Sequence, residues 1–361
     1  MGKFAFIIHP IELEDIYRKY KFMRRWPKKL VEAVVKIVPP MKVSEITGIK
    51  SSHGETSGWF VSCSLTSRQM VTLPEDYVLE KIIKSCQKAE ELGAEIIGLG
   101  AMTSVVGDAG ITIAKNLKVA VTTGNSYTVA TALQGAKEAA RLMGVDMDRA
   151  EILIVGATGS IGSAAARILA REAGFLTLLA RDERKLNALS QRIMSENGLA
   201  VKVTSNLKRA VPAADIIVTV TGSAEAVIDV NDLKPGAVVC DVARPRDVSK
   251  KVAELRDDIL VIEGGVVRVP GEDANFNFNF GFPPQTSYAC MAETMILAME
   301  NRHENFSLGR DIRVPQIDVI SNLADKHGFK LAGFRSFEKA VEPEQIKGIR
   351  ERALQKKGIP V

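Results

Sequence analysis

The sequence predicts an α/β protein in which an N-terminal α/β domain is followed by a doubly wound parallel sheet, with a C-terminal helix returning toward the domain cleft. Three observations lead there. A strand, a glycine-rich turn, a helix and a second strand follow one another at 151–181; short apolar runs recur near 200, 215, 236 and 259 with helical stretches between them; and an earlier helix–strand alternation runs from 75 to 121. Strands that alternate with helices fold as parallel sheets. The expected division is a substrate domain at 1–125, a connecting helix at 126–145, a nucleotide domain at 146–284 and a C-terminal helical segment at 285–361.

In chain order, residues 3–8 read as a strand, 75–92 carry helical periodicity and 94–99 (AEIIGL) form a short buried strand. A strand at 118–121 precedes TTGNSYTVATALQGAKEAARLMG, where Ser126 is a candidate N-cap for a helix to about Met143 that would bridge the domains. Next comes the most informative segment, EILIVGATGSIGSAAARILAREAGFLTLLAR. Gly156, Gly159 and Gly162 let the backbone turn tightly and approach a pyrophosphate over the N-terminus of the following helix, with Thr158, Ser160 and Ile161 as further cofactor-binding candidates. A lone glycine triplet is weak evidence, but with a strand on each side it marks a Rossmann-type dinucleotide-binding domain.

The end of the second strand selects the cofactor, because an acid there would accept from a ribose hydroxyl whereas arginine would pair with a 2′-phosphate. The chain offers Arg181, with Arg184 and Lys185 one turn on, which favours NADP (NADPH); Asp182 keeps NAD open. Two later strand ends are also candidates. Thr219, Thr221 and Gly222 close DIIVTVTG, and Gly264 and Gly265 close VIEGGV, where small residues would either admit the cofactor or simply turn the chain.

Composition bounds the rest. With 361 residues, 46% hydrophobic and 25% charged, the chain is that of a globular protein with room for two cores. No apolar stretch approaches the roughly 20 residues of a membrane span and the N-terminus lacks a secretory signal pattern, so a cytoplasmic protein is expected. A net charge of +5 is too small to argue for nucleic acid, yet RKYKFMRRWPKK at 18–29 gathers bases around Tyr20, Phe22 and Trp26. That patch reads either as a solvated helical face or as a contact for an acidic carrier protein or an anionic membrane surface. The cysteines have no C-x-x-C spacing, and His9, His53, His303 and His327 show no ligand spacing, so no metal is assigned.

At 275–282, NFNFNFGF would place Phe276, Phe278 and Phe280 on one face of an extended segment, either burying them in the core or lining an apolar channel. After Pro283 and Pro284 an amphipathic helix is expected over about 286–302, with Cys290 in its first turns. A helix N-terminus favours a thiolate, and a thiolate can attack a thioester while nearby N–H groups stabilise the oxyanion; a small buried core residue is the plainer reading. Cys63, Cys86 and Cys240 lie in or beside strands or within a helix, where a packing role is the stronger expectation.

Several stretches together resemble the long-chain acyl-acyl carrier protein reductases and related bacterial proteins described as shikimate dehydrogenase-like or amino-acid dehydrogenase-like. They are GLGAMTSVVG at 98–107, TTGNSYT at 122–128, GATGSIGS at 156–163, ARDER at 180–184, GGV at 264–266, YACMAE at 288–293 and NFSLGR at 305–310. The resemblance implies that Cys290 is the acylated nucleophile, that the acyl donor is an acyl carrier protein or coenzyme A thioester, and that NADPH reduces the acyl-enzyme to a fatty aldehyde. It further implies an apolar cleft between the domains for the acyl chain. A shikimate-type or amino-acid dehydrogenase, and a non-catalytic NADP-binding sensor, share the architecture and remain the competing expectations.

Overall fold

The computed structural model describes residues 2–221, 223, 226–243, 246–337 and 339–360. Two compact units emerge, each assembled from three chain segments: Met1–Gly124 with Arg268–Arg310 and Val319–Lys330, and Asn125–Val267 with Asp311–Asp318 and Leu331–Val361.

The first unit holds strands β1 (Lys3–Ile8), β2 (Lys42–Ser51), β3 (Gly54–Ser62), β4 (Ile96–Leu99) and β5 (Ala120–Thr122) in the order β2-β3-β1-β4-β5. All neighbours are parallel except the β2/β3 hairpin. Parallel strands are covered on both faces, which is why β1 and β4 read as continuous apolar runs. One cover is the Glu75–Glu91 helix, whose Val78, Ile82, Cys86 and Ala89 recur at helical spacing and are buried. Another is the Ala289–Met299 helix, apolar almost all round and buried at ten of its eleven positions.

The second unit holds β6 (Glu151–Val155), β7 (Phe175–Leu179), β8 (Lys202–Thr204), β9 (Ile216–Thr219), β10 (Val238–Asp241) and β11 (Leu260–Glu263). Their order, β11-β10-β9-β6-β7-β8, is that of a doubly wound dinucleotide fold, and every pair is parallel. All six strands lie where the apolar runs predict them. The strand order reverses beside β6, the place where such sheets bind ligands at their carboxyl edge.

The units do not follow the linear division expected from the sequence. Residues 268–310 fold with the first unit because the Ala289–Met299 helix packs on β1, β3 and β4. The Asn125–Met143 helix, expected to bridge, belongs to the second unit, packed on β10, β11 and the Ser160–Leu169 helix.

The C-terminal helix Pro343–Lys356 also packs on Asn125–Met143, and an ion-pair network ties it down. Asp258 is fully buried and accepts two hydrogen bonds from Arg256 (2.8 and 2.9 Å), with Lys356 at 3.1 Å. Burial alone would raise this carboxyl, but the two cations outweigh it and hold it at about 2. Measured from an unfolded value near 3.9, that depression is worth roughly 2–3 kcal/mol, present above pH ~4 and lost as pH falls toward 2. Asp258→Asn is therefore expected to lower stability by about 2 kcal/mol at pH 7. Urea titrations of both proteins should show the gap closing below pH 4; a gap constant down to pH 2.5 would refute the assignment.

Candidate active site

In the second unit the glycine-rich turn has the shape a pyrophosphate requires. Gly156 has φ +87°, and a Cβ there would lie 2.9 Å from the Val220 carbonyl oxygen; a Cβ on Gly162 would meet the Gly156 oxygen at 2.3 Å. Gly159 is exposed and precedes the Ser160–Leu169 helix without a side-chain cap, so the first-turn N–H groups, including that of Ile161, face away from any intrahelical acceptor. Thr158, Ser160 and Ile161 are half-buried around this turn. The cradle that a Cβ would fill, beside an uncapped ten-residue helix, fits a dinucleotide diphosphate.

After β7, Arg181 and Arg184 are exposed and neither forms an ion pair among the described residues. Asp182 is occupied differently: it caps the Glu183–Asn197 helix, accepting from the Lys185 N–H at 3.1 Å, and that hydrogen bond lowers its pKa. Thr219 and Thr221 also have a use the sequence did not suggest. Their hydroxyls both donate to buried Asp247, which further accepts the Thr221 N–H at 2.8 Å. This carboxylate fixes the loop after β9; Gly222 lies outside the described residues. Gly264 admits the Asn125–Met143 helix, since a Cβ there would press on Val242, Ala132 and Cys240, and Gly265 turns the chain at φ +79°.

In the first unit, Cys290 is the second residue of the Ala289–Met299 helix, three residues nearer the helix start than a helix from 286 would place it. Thr286–Tyr288 forms a short strand instead. Cys290 is half-buried, whereas Cys63, Cys86 and Cys240 are buried. Burial pushes the Cys63 and Cys86 thiols up, disfavouring their thiolates. Cys290 instead lies in the first turn of its helix, where the helix dipole favours negative charge.

Four of the segments that carry the family resemblance meet around this helix. Gly124 of TTGN, at φ +73°, passes so close that a Cβ would lie 2.3 Å from Cys290 Cα. Glu293, one turn after Cys290 and fully buried, accepts the Thr122 hydroxyl at 2.5 Å and the Ser307 hydroxyl at 2.8 Å. Ser307 adopts φ +54° and accepts the Thr123 hydroxyl at its carbonyl (2.5 Å), while Asn305 accepts the Val121 N–H at 2.9 Å. Arg310 donates to the carbonyl of Gly107 at 2.8 Å. A Cβ on Gly98 would strike Thr294, so β4 too is small where the Cys290 helix crosses it. Glu293, Thr122 and Ser307 were visible only as members of motifs; their contact spans 171 residues and has no local signal.

The phenylalanine segment is not the strand its alternation predicts, because Asn277 at φ +47° breaks the extended backbone. The rings still converge. Phe276, Phe278 and Phe280 surround Phe60 at centroid distances of 6.2, 5.9 and 5.1 Å, and Phe280 and Phe282 reach Tyr288 at 6.3 and 4.7 Å. Tyr288 stands two residues before Cys290. Among the described residues no group of three His, Cys, Asp or Glu side chains is arranged to hold a metal.

Comparison with known proteins agrees with the motifs. Residues 137–262 match the model of the shikimate / quinate 5-dehydrogenase family. The chain is 29% identical over 311 residues to the long-chain acyl-[acyl-carrier-protein] reductase of Synechococcus elongatus, covering 81% of this chain and 87% of that protein. The resemblance to acyl-acyl carrier protein reductases holds. Over 361 residues it is also 31% identical to aminotransferase PigE of a Serratia species, covering 95% of this chain but only 41% of PigE, so it spans less than half of that relative. Among solved structures, L-tryptophan dehydrogenase from Nostoc punctiforme aligns over 98% of this chain and 89% of its own at 11% identity and a TM-score of 0.40. The family match and the reductase relative support an NAD(P)-dependent oxidoreductase.

Proposed function

We propose that the protein reduces a long-chain acyl thioester, carried by acyl carrier protein or coenzyme A, to a fatty aldehyde at the expense of NADPH in the cytoplasm. The observation that carries this reading is the placement of Cys290: a half-buried thiol at a helix start, seated by Gly124 and followed one turn later by a buried, hydroxyl-bound Glu293. Cys290 attacks the acyl carbonyl, its Sγ–C bond forms, the bond to the carrier sulfur breaks and the carrier leaves as its thiol. The helix N–H groups beside Cys290 stabilise the oxyanion of that attack. NADPH supplies the two-electron reduction of the acyl-enzyme. Cys290 then leaves as thiolate when the reduced acyl group departs as aldehyde, and the enzyme is regenerated. The rings of Phe280, Phe282 and Tyr288 offer the acyl chain an apolar wall next to the nucleophile.

Cofactor contacts fall to Gly156, Thr158, Gly159, Ser160, Ile161 and Gly162 at the diphosphate and to Arg181 and Arg184 at the 2′-phosphate. With Asp182 engaged as a helix cap, the two arginines set the charge at that end. Arg181→Ala combined with Arg184→Ala should reduce kcat/KM for NADPH by about 100-fold, as expected for two charge-assisted contacts of ~1.5 kcal/mol each, and leave NADH nearly unchanged. Equal losses with both cofactors would reject this assignment.

The function itself is tested by incubating the protein with palmitoyl-acyl carrier protein and palmitoyl-coenzyme A and recording its intact mass before and after NADPH. A palmitoyl adduct that is discharged as hexadecanal is expected. Absence of an adduct with both donors would exclude the covalent route.

A further inference from the structure

The segment between the Leu13–Lys19 and Lys28–Ile37 helices stands out from the first unit's surface. The inner sides of these helices form a small core of Ile16, Tyr17, Val31 and Val35. The outer side is apolar as well: Phe22 is 57% exposed, Trp26 37%, Leu30 48% and Ile37 75%. Tyr20, Phe22 and Trp26 form a chain of edge-on ring contacts at 6.3 and 5.7 Å, and Pro27 separates the Lys21–Arg25 turn from the helix that follows. These apolar side chains leave a large part of their surface in contact with water.

Charge surrounds them. Residues 18–29 contain seven bases and no acid. Arg18 pairs with Asp15 and Arg24 with Glu14, but Lys21, Arg25, Lys28 and Lys29 form no ion pair among the described residues, and Lys19 lies over the Tyr20 ring at 5.8 Å. A solvated helical face needs no exposed Trp–Phe pair. An acidic protein face would take the bases but leave Phe22, Trp26, Leu30 and Ile37 against polar surface. A bilayer interface takes both, since aromatic rings settle at headgroup depth while lysine and arginine engage anionic lipid.

We propose that this face, centred on Phe22, Trp26, Lys28 and Lys29, docks the protein peripherally on an anionic lipid bilayer. No helix among the described residues is long and apolar enough to cross a membrane. Nothing in this surface depends on thioester chemistry.

The test is flotation of the full-length protein with phosphatidylcholine vesicles and with vesicles containing 30% phosphatidylglycerol, at 0.1 and 0.5 M salt. Binding to anionic vesicles should exceed binding to neutral ones by about tenfold and fall by a similar factor at high salt. Phe22→Ala with Trp26→Ala, and separately Lys28→Glu with Lys29→Glu, should each weaken it about tenfold while leaving the thermal transition near that of the wild type, because all four side chains are exposed. Vesicle-induced blue shift of tryptophan emission should vanish in Trp26→Phe, leaving only the half-buried Trp59. Equal binding to both vesicle types, or wild-type flotation by either double variant, overturns the proposal. So does loss of acyl carrier protein affinity in Lys28→Glu/Lys29→Glu with vesicle binding intact, which would assign the face to the carrier.

Discussion

Cys290→Ser should form no acyl adduct and lose thioester reduction by at least about 10³-fold, with NADPH affinity unchanged. Serine matches cysteine closely in shape, so the Ala289–Met299 helix and its packing on β1, β3 and β4 should persist. What changes is nucleophilicity: a helix N-terminus can bring a thiol into its ionised form near neutral pH, whereas the hydroxyl starts far above reach of the same field. Losses of this size are usual when a covalent nucleophile is replaced. Intact-mass analysis and aldehyde release measure both parts. A variant that retained turnover on thioesters would remove the covalent mechanism, and one that retained reduction of a hydroxyl- or amine-bearing carbon would point to the shikimate-type reading.

The second large effect is expected at Gly124→Ala. Two independent terms act there. Residues other than glycine pay about 1–2 kcal/mol at a left-handed φ such as +73°, and the new methyl would lie 2.3 Å from both Cα and Cβ of Cys290 and 2.7 Å from its oxygen. No flexible side chain stands between them, so the strand end or the helix start must move. Destabilisation of about 3 kcal/mol or more should accompany the shift. The folded fraction should acylate about 100-fold more slowly, because a displacement near 1 Å misaligns a nucleophile by that factor. Thermal denaturation and the rate of adduct formation, corrected for folded protein, separate the two losses. Wild-type values in both would show that Gly124 does not seat the cysteine.

How far the sequence reached depended on whether the signal was local. The six strands of the second unit, the turn at Gly156 and Gly162, and a cysteine at a helix start all rest on residues a few positions apart, and periodicity and turn chemistry report them. The Glu293 cluster joins residues 122, 293 and 307, whose proximity only the tertiary fold creates. The same holds for Asp247, which takes the hydroxyls of Thr219 and Thr221 from 28 and 26 residues away. The phenylalanine alternation misled because one backbone angle, that of Asn277, cancels a period-two pattern while leaving the rings free to regroup on Phe60. Nor did any composition shift at 268 mark the return of the chain to the first unit, since the returning helix is as apolar as the strands it covers.

That return has a temporal meaning. During synthesis β1 to β5 leave the ribosome well before residues 289–299 exist, and residues 125–267, the larger part of the second unit, are translated in between. Until then one side of the nascent sheet lacks the helix that covers β1, β3 and β4, and apolar residues are open to water. The core of the first unit therefore closes only after most of the second unit has been made, although its first strand is made first, and Cys290 arrives with the helix that closes it. Quality control by a chaperone would find its target in that interval, and a chain interrupted before residue 289 would carry an uncovered sheet and lack Cys290.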